Sequence, residues 1–213
     1  MRKRYLLPLL MLAAVCGGCE GLAYFLHIFA PAVPKETVKP EYDKLDGHKV
    51  AVVVFADDKA QFEHPGIQLE ISSMVSYELT QRLKKLAIVP PRQIVKYQRQ
   101  SIHWDSLDKT ELGKGLGAEL VLYVSLQRFS TLEHGSLRLF RGQMTAQVSL
   151  YRTALPENQA RVWGPKELQV AYPPDRPSER RDESDRTIRY KTVKIFADLL
   201  AKKFYKHEIP AKS

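Results

Sequence analysis

The chain has 213 residues and 24.4 kDa, is 44% hydrophobic and 27% charged, and carries a formal net charge of +9. Domains run about 100–200 residues, so this length suits one domain with tails, and near-ordinary globular usage excludes wholesale disorder, collagen and a multispan membrane protein. A pI of 9.5 points to nucleic acid only if the charge sits on the folded body, so its placement along the chain matters.

Arg2, Lys3 and Arg4 open the chain, and residues 5–15 form an apolar run broken only by Pro8. Gly17 and Gly18 then precede Cys19. This is the order of a bacterial secretory signal. The run is too short to span a bilayer, which needs about 20 residues. Removing residues 1–18 takes three basic residues and no acids, which leaves +6. The only cysteines are Cys16 and Cys19, so the body from Glu20 onward can build no disulfide, zinc knuckle or cysteine nucleophile. Their C-x-x-C spacing lies beside an apolar run rather than on a strand-to-helix turn, which argues against redox chemistry.

Gly17-Gly18-Cys19 resembles the end of a bacterial lipoprotein signal, and the resemblance implies that Cys19 becomes the lipid-bearing N-terminus. The sequence departs from that pattern at Cys16, where such signals usually carry leucine. Cys16, which follows bulky Val15, is the alternative acceptor. An uncleaved anchor over residues 6–30 is a second reading, because residues 21–30 are also apolar. Against it stand the glycine pair and Glu20, since a carboxylate at mid-membrane costs roughly 3 kcal/mol. A soluble secreted form is the third. All three place the body outside the cytoplasm, on the periplasmic side of a membrane-anchored envelope protein in the first two.

Pro31, Pro34 and Pro40 sit among Lys35, Glu36, Lys39 and Glu41 and read as an extended tether. The expected organisation is a signal over 1–18, a lipidated tether over 19–46, one domain over 47–207 and a tail over 208–213.

Residues 49–55 are a continuous β-branched apolar run, as in a strand covered on both faces. Residues 57–66 read as polar and turn-prone. Ile67, Ile71, Met74, Val75, Leu79, Leu83 and Leu86 share one helical stripe, while Ser72, Ser73 and Ser76 read as helix-surface positions. A short strand over 87–89 precedes Pro91, a first-turn proline opening the next helix. Asp108 and Glu111 have capping-box spacing, so a helix starts at Lys109, and Gly117 ends it in a left-handed turn. Residues 120–126 alternate as a strand. A turn at His134-Gly135 leads to a second long strand, where Met144, Ala146, Val148 and Leu150 alternate with Gln143, Thr145, Gln147 and Ser149, leaving one face wet. Residues 156–159 read as a hairpin loop, 161–170 as the return strand, and 173–185 as a charged, proline-rich surface loop. The last helix is expected over 186–206, with Val193, Phe196, Ala197, Leu200 and Phe204 inward. The order β-α-β-α-α-β-β-β-α makes an α/β (α+β) mixed sheet of about five strands with helices mainly on one face.

The strand Lys49-Val-Ala-Val-Val-Val-Phe, the helix end Leu79-Thr-Gln-Arg-Leu83 followed by Ile88-Val89, and the step Leu116-Gly-Ala-Glu-Leu-Val-Leu-Tyr-Val124 resemble the curli-secretion lipoprotein and TolB amino-terminal type of periplasmic domain. Val148-Ser-Leu-Tyr151 and Arg161-Val-Trp163 resemble its paired strands. The likeness covers residues 49–163 and rests on element order. It implies an envelope lipoprotein that binds or assembles with other proteins, without catalysis. No counterpart of the curli channel's pore hairpins is seen, which speaks against a channel.

Sites of chemistry are sparse. Gly113-Lys-Gly-Leu-Gly117 ends a helix before a strand, the wrong polarity for a phosphate loop. Asp57-Asp58 follows the first strand and reads as a turn. His64, the His103-Trp104-Asp105 run and His134 form no spaced metal or catalytic set, and no nucleophile elbow occurs. No enzyme activity, cofactor or metal is expected. Trp104, in a polar loop, is a candidate partner-binding anchor; its alternative is a plug at the core edge. Trp163 reads as packing.

Residues 171–213 hold eleven Lys/Arg and seven Asp/Glu; residues 20–170 hold nineteen and seventeen. The excess therefore gathers on the last helix, where Arg189, Lys191, Lys194, Lys202, Lys203 and Lys206 ring the polar side. That face is either simply solvated or a contact for an anionic surface, with Lys202 and Lys203 as candidate binding residues. The expected function is a non-catalytic envelope accessory or assembly lipoprotein working through protein contacts. The partners are the membrane, through the lipid, and other envelope proteins or a second copy. The alternative is a module binding an anionic surface or cell-wall polymer. Export excludes nucleic acid.

Overall fold

The computed structural model describes residues 35–136, 138–179 and 183–210. The signal, Cys16 and Cys19 lie outside them. The chain divides into two compact units. The described residues of the smaller, 35–37 and 208–210, lie in a ribbon of β1 (Lys35–Val38) with β8 (His207–Pro210), across which Lys35 Nζ stands 3.2 Å from a Glu208 carboxylate oxygen.

The larger unit, Val38–His207, is built on one mixed sheet. Its strands are β2 (Lys49–Phe55), β3 (Ala87–Ile88), β4 (Leu120–Leu132), β5 (Leu139–Arg152), β6 (Arg161–Tyr172) and β7 (Ser178–Glu179). The order is β3-β2-β4-β5-β6, with β7 also on β5. β2 is parallel to β3 and β4, and β4, β5 and β6 form an antiparallel meander. The α/β start and the meander of the sequence reading are both present, with the helices α1 (Asp58–Glu63), α2 (Ile67–Arg82), α3 (Pro91–Gln100), α4 (Lys109–Gly115), α5 (Glu157–Ala160) and α6 (Asp185–Ala201).

Strand periodicity sorts the side chains. Val50, Val52 and Val54 join Leu122, Val124, Ala146 and Val148 on one face, beneath α2 and α6. Ala51, Val53 and Val121 point the other way, into a smaller cluster with Ile94 of α3 and Leu112 of α4. The two long helices thus share one face, and two short ones cover the parallel end of the other. Beyond them Gln143, Thr145 and Gln147 of β5 stay in contact with solvent, as their alternation requires, whereas Ser149, expected on the same wet face, is buried.

Several details depart from the sequence reading. Residues 57–66 include α1, capped by Asp57, whose carboxylate accepts from the Ala60 N–H at 2.7 Å. α1 buries no side chain, so it has no apolar period to read. Residues 157–160 form the single turn α5. The last helix stops at Ala201, and Phe204 packs into the core from beyond it. Residues 38–46 also pack: Leu45 is 0% exposed and Tyr42 lies against the main core. The larger unit therefore begins at Val38, ahead of Gly47.

Ser72 and Ser76 are buried rather than on the surface. For Ser72 the reason lies in the β2 edge. β3 stops after Ile88, and Val89 N–H still reaches the Val50 carbonyl at 2.9 Å. The next two carbonyls on that edge, Val52 and Val54, have no strand to meet. Ser72 Oγ donates to Val52 O at 2.7 Å, and Gln68 and Gln98 side-chain amides donate to Val54 O at 3.2 and 3.0 Å. A buried carbonyl left without its donor costs about 1–3 kcal/mol. Ser72→Ala is expected to destabilise by that amount, as a lower urea midpoint with an unchanged slope. An unchanged midpoint would show that the bond contributes nothing.

Candidate functional site

The sequence candidates fall mostly into structural roles. Gly117 has φ +63° and ends α4, and a Cβ on Gly113 would lie 2.2 Å from Thr153 Cγ2. This glycine run thus serves close packing. Asp108 caps α4 through the Thr110 N–H at 2.6 Å. His64 stacks edge-on against Phe129 at 4.7 Å, and burial holds its pKa below the usual imidazole value. His103, Asp105 and His134 are exposed. Among the described residues no three His, Cys, Asp or Glu side chains are grouped to hold a metal.

Trp104 is half-buried, packs against the smaller cluster and meets the Phe55 ring at 6.1 Å. In the same cluster is Tyr123, whose ring carries Lys109 Nζ at 4.6 Å. The ammonium also donates to the Asp105 and Leu107 carbonyls at 3.1 Å. Burial pushes the Tyr123 hydroxyl up to about 12 and the Lys109 ammonium down. Trp104 and Lys109 are thus held by contacts within the chain, beside an open cleft of about 740 Å³ that Lys109 lines with Tyr151 and Arg161.

Four of the six basic side chains singled out at the C-terminal end are matched. Arg189 meets Glu70 at 2.7 Å, Lys191 meets Glu183, and Lys202 meets Asp198 at 2.6 Å. Lys203 Nζ lies 3.0 Å from Glu41. Glu41 also accepts from Trp163 Nε1 at 3.2 Å and stands 3.3 Å from Lys166, while its own N–H donates to the Lys203 carbonyl at 2.8 Å. Desolvation raises the Glu41 pKa, but Lys203, Lys166 and Trp163 together outweigh it and hold the carboxylate below its usual range. Trp163 packs edge-on against Phe204 at 5.0 Å. Lys203 and Glu41 thus form a clamp on residues 38–46, and Lys202 and Lys203, the candidates for an anionic surface, are each held by a carboxylate.

What sequence reasoning missed lies between α2 and α6. The helices run parallel: Glu70 and Arg189 meet near their N-terminal ends, and Arg82 lies 5.5 Å over the ring of Tyr205, just past the end of α6. Their outer surfaces leave an open groove of about 610 Å³. Met74, Tyr77, Glu78 and Arg82 line one wall, and Tyr190, Lys194 and Asp198 the other. Tyr77 is 56% exposed, Tyr190 48%, and Ile195 on α6 is 38% exposed. The available signal was a tyrosine off the apolar stripe of each helix. Among the described residues neither Glu78 nor Lys194 has an ion-pair partner, whereas Asp198 is held by Lys202.

No protein family matches the chain, and no curated protein does. Solved structures do. The PelC dodecamer from Paraburkholderia phytofirmans is 12% identical with a TM-score of 0.41, over 80% of this chain and 97% of that one. Lipoprotein GNA1162 from Neisseria meningitidis is 13% identical with a TM-score of 0.43, over 72% and 96%. A minor lipoprotein from Acinetobacter baumannii is 9% identical with a TM-score of 0.38, over 75% and 97%. Bacterial lipoproteins are thus among the similar structures, the class the sequence resembles. At these identities and scores, the function rests on the chain's own residues. No helix among the described residues is long and apolar enough to cross a membrane.

Proposed function

We propose that the chain is a non-catalytic lipoprotein of the bacterial cell envelope, anchored through Cys19 with its domain on the periplasmic side, and that it acts as an accessory or assembly component through protein contacts. The observation that carries the reading is the α2/α6 groove, where two large aromatic side chains stand exposed beside charges of both signs. Tyrosine joins a large apolar ring to a polar tip and is enriched at protein interfaces. Exposed rings of this kind bind by leaving water, and the surrounding charges select the partner. The Gly17-Gly18-Cys19 signal supplies the address. The anionic-surface alternative draws less support, because Lys202 and Lys203 are each held by a carboxylate.

Crosslinking in intact cells tests this. The tagged full chain is expected to yield at least one crosslinked protein species that weakens tenfold or more in the Tyr77→Ala, Tyr190→Ala double variant, consistent with interface hot spots of about 2 kcal/mol or more. Both rings are largely exposed, so the variant keeps its core. An identical crosslinking pattern would remove the groove as the contact site.

A further inference from the structure

We propose that the occupant of the α2/α6 groove is the same groove of a second copy of this chain. The inference rests on the protein-contact reading and adds the partner's identity. It is carried by the distribution of charge along two parallel helices. Each wall holds one acid and one base four residues apart, in opposite order: Glu78 then Arg82 on α2, Lys194 then Asp198 on α6. The groove is therefore neutral as a whole, and each wall carries the charges that the opposite wall complements.

Symmetry turns this into a contact. In a two-fold pair, residue i meets j of the partner and j meets i. A two-fold axis lying along the groove sets α2 of one copy over α6 of the other and keeps both helix directions. Levels along the helices are then preserved. The Glu70–Arg189 contact fixes the local register. Glu78 is eight residues beyond Glu70, and Lys194 is five beyond Arg189. Arg82 and Asp198 are twelve and nine beyond. Each pair differs by three residues, about 4.5 Å at 1.5 Å rise per residue, which the long side chains of lysine and arginine span. Glu78 of each copy thus meets Lys194 of the other, twice per dimer, and neither has an ion-pair partner among the described residues of one chain, where only Asp198 of the four groove charges is paired. Arg82 meets Asp198 in the same way. Tyr77 and Tyr190 lie along the same groove, where two copies bury four rings that one copy leaves wet. An unrelated acidic or basic partner would call for a wall of one sign, which the groove does not offer.

The body from Glu20 onward has no cysteine, so introduced pairs report cleanly. Two differently tagged full chains, one carrying Glu78→Cys and the other Lys194→Cys, are co-expressed, exported and treated with a bismaleimide whose spacer bridges the offset, since a direct disulfide needs Cα atoms within about 7 Å. A thiol crosslink joining the two tags, at twice the chain mass, is expected, and is absent when either cysteine chain is expressed with an unsubstituted partner. In detergent, light scattering is expected to show a dimer for the full chain and at least a tenfold weaker one for Lys194→Glu. The Glu78→Lys, Lys194→Glu double exchange restores it. Circular dichroism confirms that each variant is folded. No thiol crosslink between tags, or a charge exchange that fails to restore association while the fold is intact, overturns the second-copy assignment. If the groove-dependent crosslinks in cells persist in that case, the protein-contact reading survives and the occupant is a different protein.

Discussion

Gly142→Ala is expected to lower the stability of the larger unit by about 2–3 kcal/mol, near the upper end for an added group in a packed core. α6 lies against β5 at this residue. A Cβ there would stand 1.7 Å from Thr192 Oγ1 and 2.9 Å from Thr192 Cβ, with Ile188 Cγ2 at 3.1 Å. Thr192 is 0% exposed, and its hydroxyl is held by the Ile188 carbonyl at 2.7 Å, so it has no free direction in which to yield. α6 must lift instead, and with it Val193, Phe196, Ala197 and Leu200, which close the main core. For a unit of this size each kcal/mol is worth about 2–4 °C, so thermal unfolding is expected to fall by roughly 5–10 °C. Thr192→Ala removes the atom at 1.7 Å. In that background the loss from Gly142→Ala is expected to shrink, a coupling that a double-mutant cycle measures. Full additivity of the two substitutions would mean that the close approach is relieved elsewhere.

Cys19→Ser is expected to move the protein from the membrane fraction to the soluble fraction and to abolish labelling by a fatty-acid analogue. Each acyl methylene contributes about 0.8 kcal/mol of membrane affinity, and stable anchoring needs more than one chain. No described helix can replace that anchor. Cys16→Ser is expected to leave both readouts unchanged. Labelling that survives Cys19→Ser and disappears in Cys16→Ser would reassign the acceptor. Membrane retention without labelling in either variant would make residues 6–30 an uncleaved anchor.

The parts of this fold that were legible in sequence are those with a repeating environment. Residues 49–55 are buried on both faces and read as one apolar run. β5 is buried on one face and alternates, and the Asp108 and Gly117 caps carry their own local chemistry. Features that depend on a single distant contact were not legible. Leu45 is one apolar residue in a charged, proline-flanked stretch, and only its burial against the core shows that residues 38–46 belong to the domain. Ser72 looks like any helix-surface serine until β3 ends early and leaves the Val52 carbonyl open. The candidate site was illegible for the same reason. Tyr77 and Tyr190 are 113 residues apart, and only the parallel packing of α2 and α6 puts them on one groove. The positive charge at the C-terminal end was plain in the sequence, but the pairing of Lys203, Arg189 and Lys191 with Glu41, Glu70 and Glu183 was not.

The clamp on residues 38–46 has a mechanical consequence. Any pull on the N-terminal end of the chain reaches Glu41 before it reaches β2. There it meets two backbone donors on the Lys203 carbonyl, the carboxylate held by Lys203, Lys166 and Trp163, and then the Leu45 side chain. These contacts close residues 38–46 against β6 and the residues just past α6, so once the β1–β8 ribbon has parted a load is taken up by peeling a strap of nine residues. The sheet beyond it, with its β2–β4 ladder, is loaded only after that strap has come away, and a domain tugged by its tether lengthens before it unfolds.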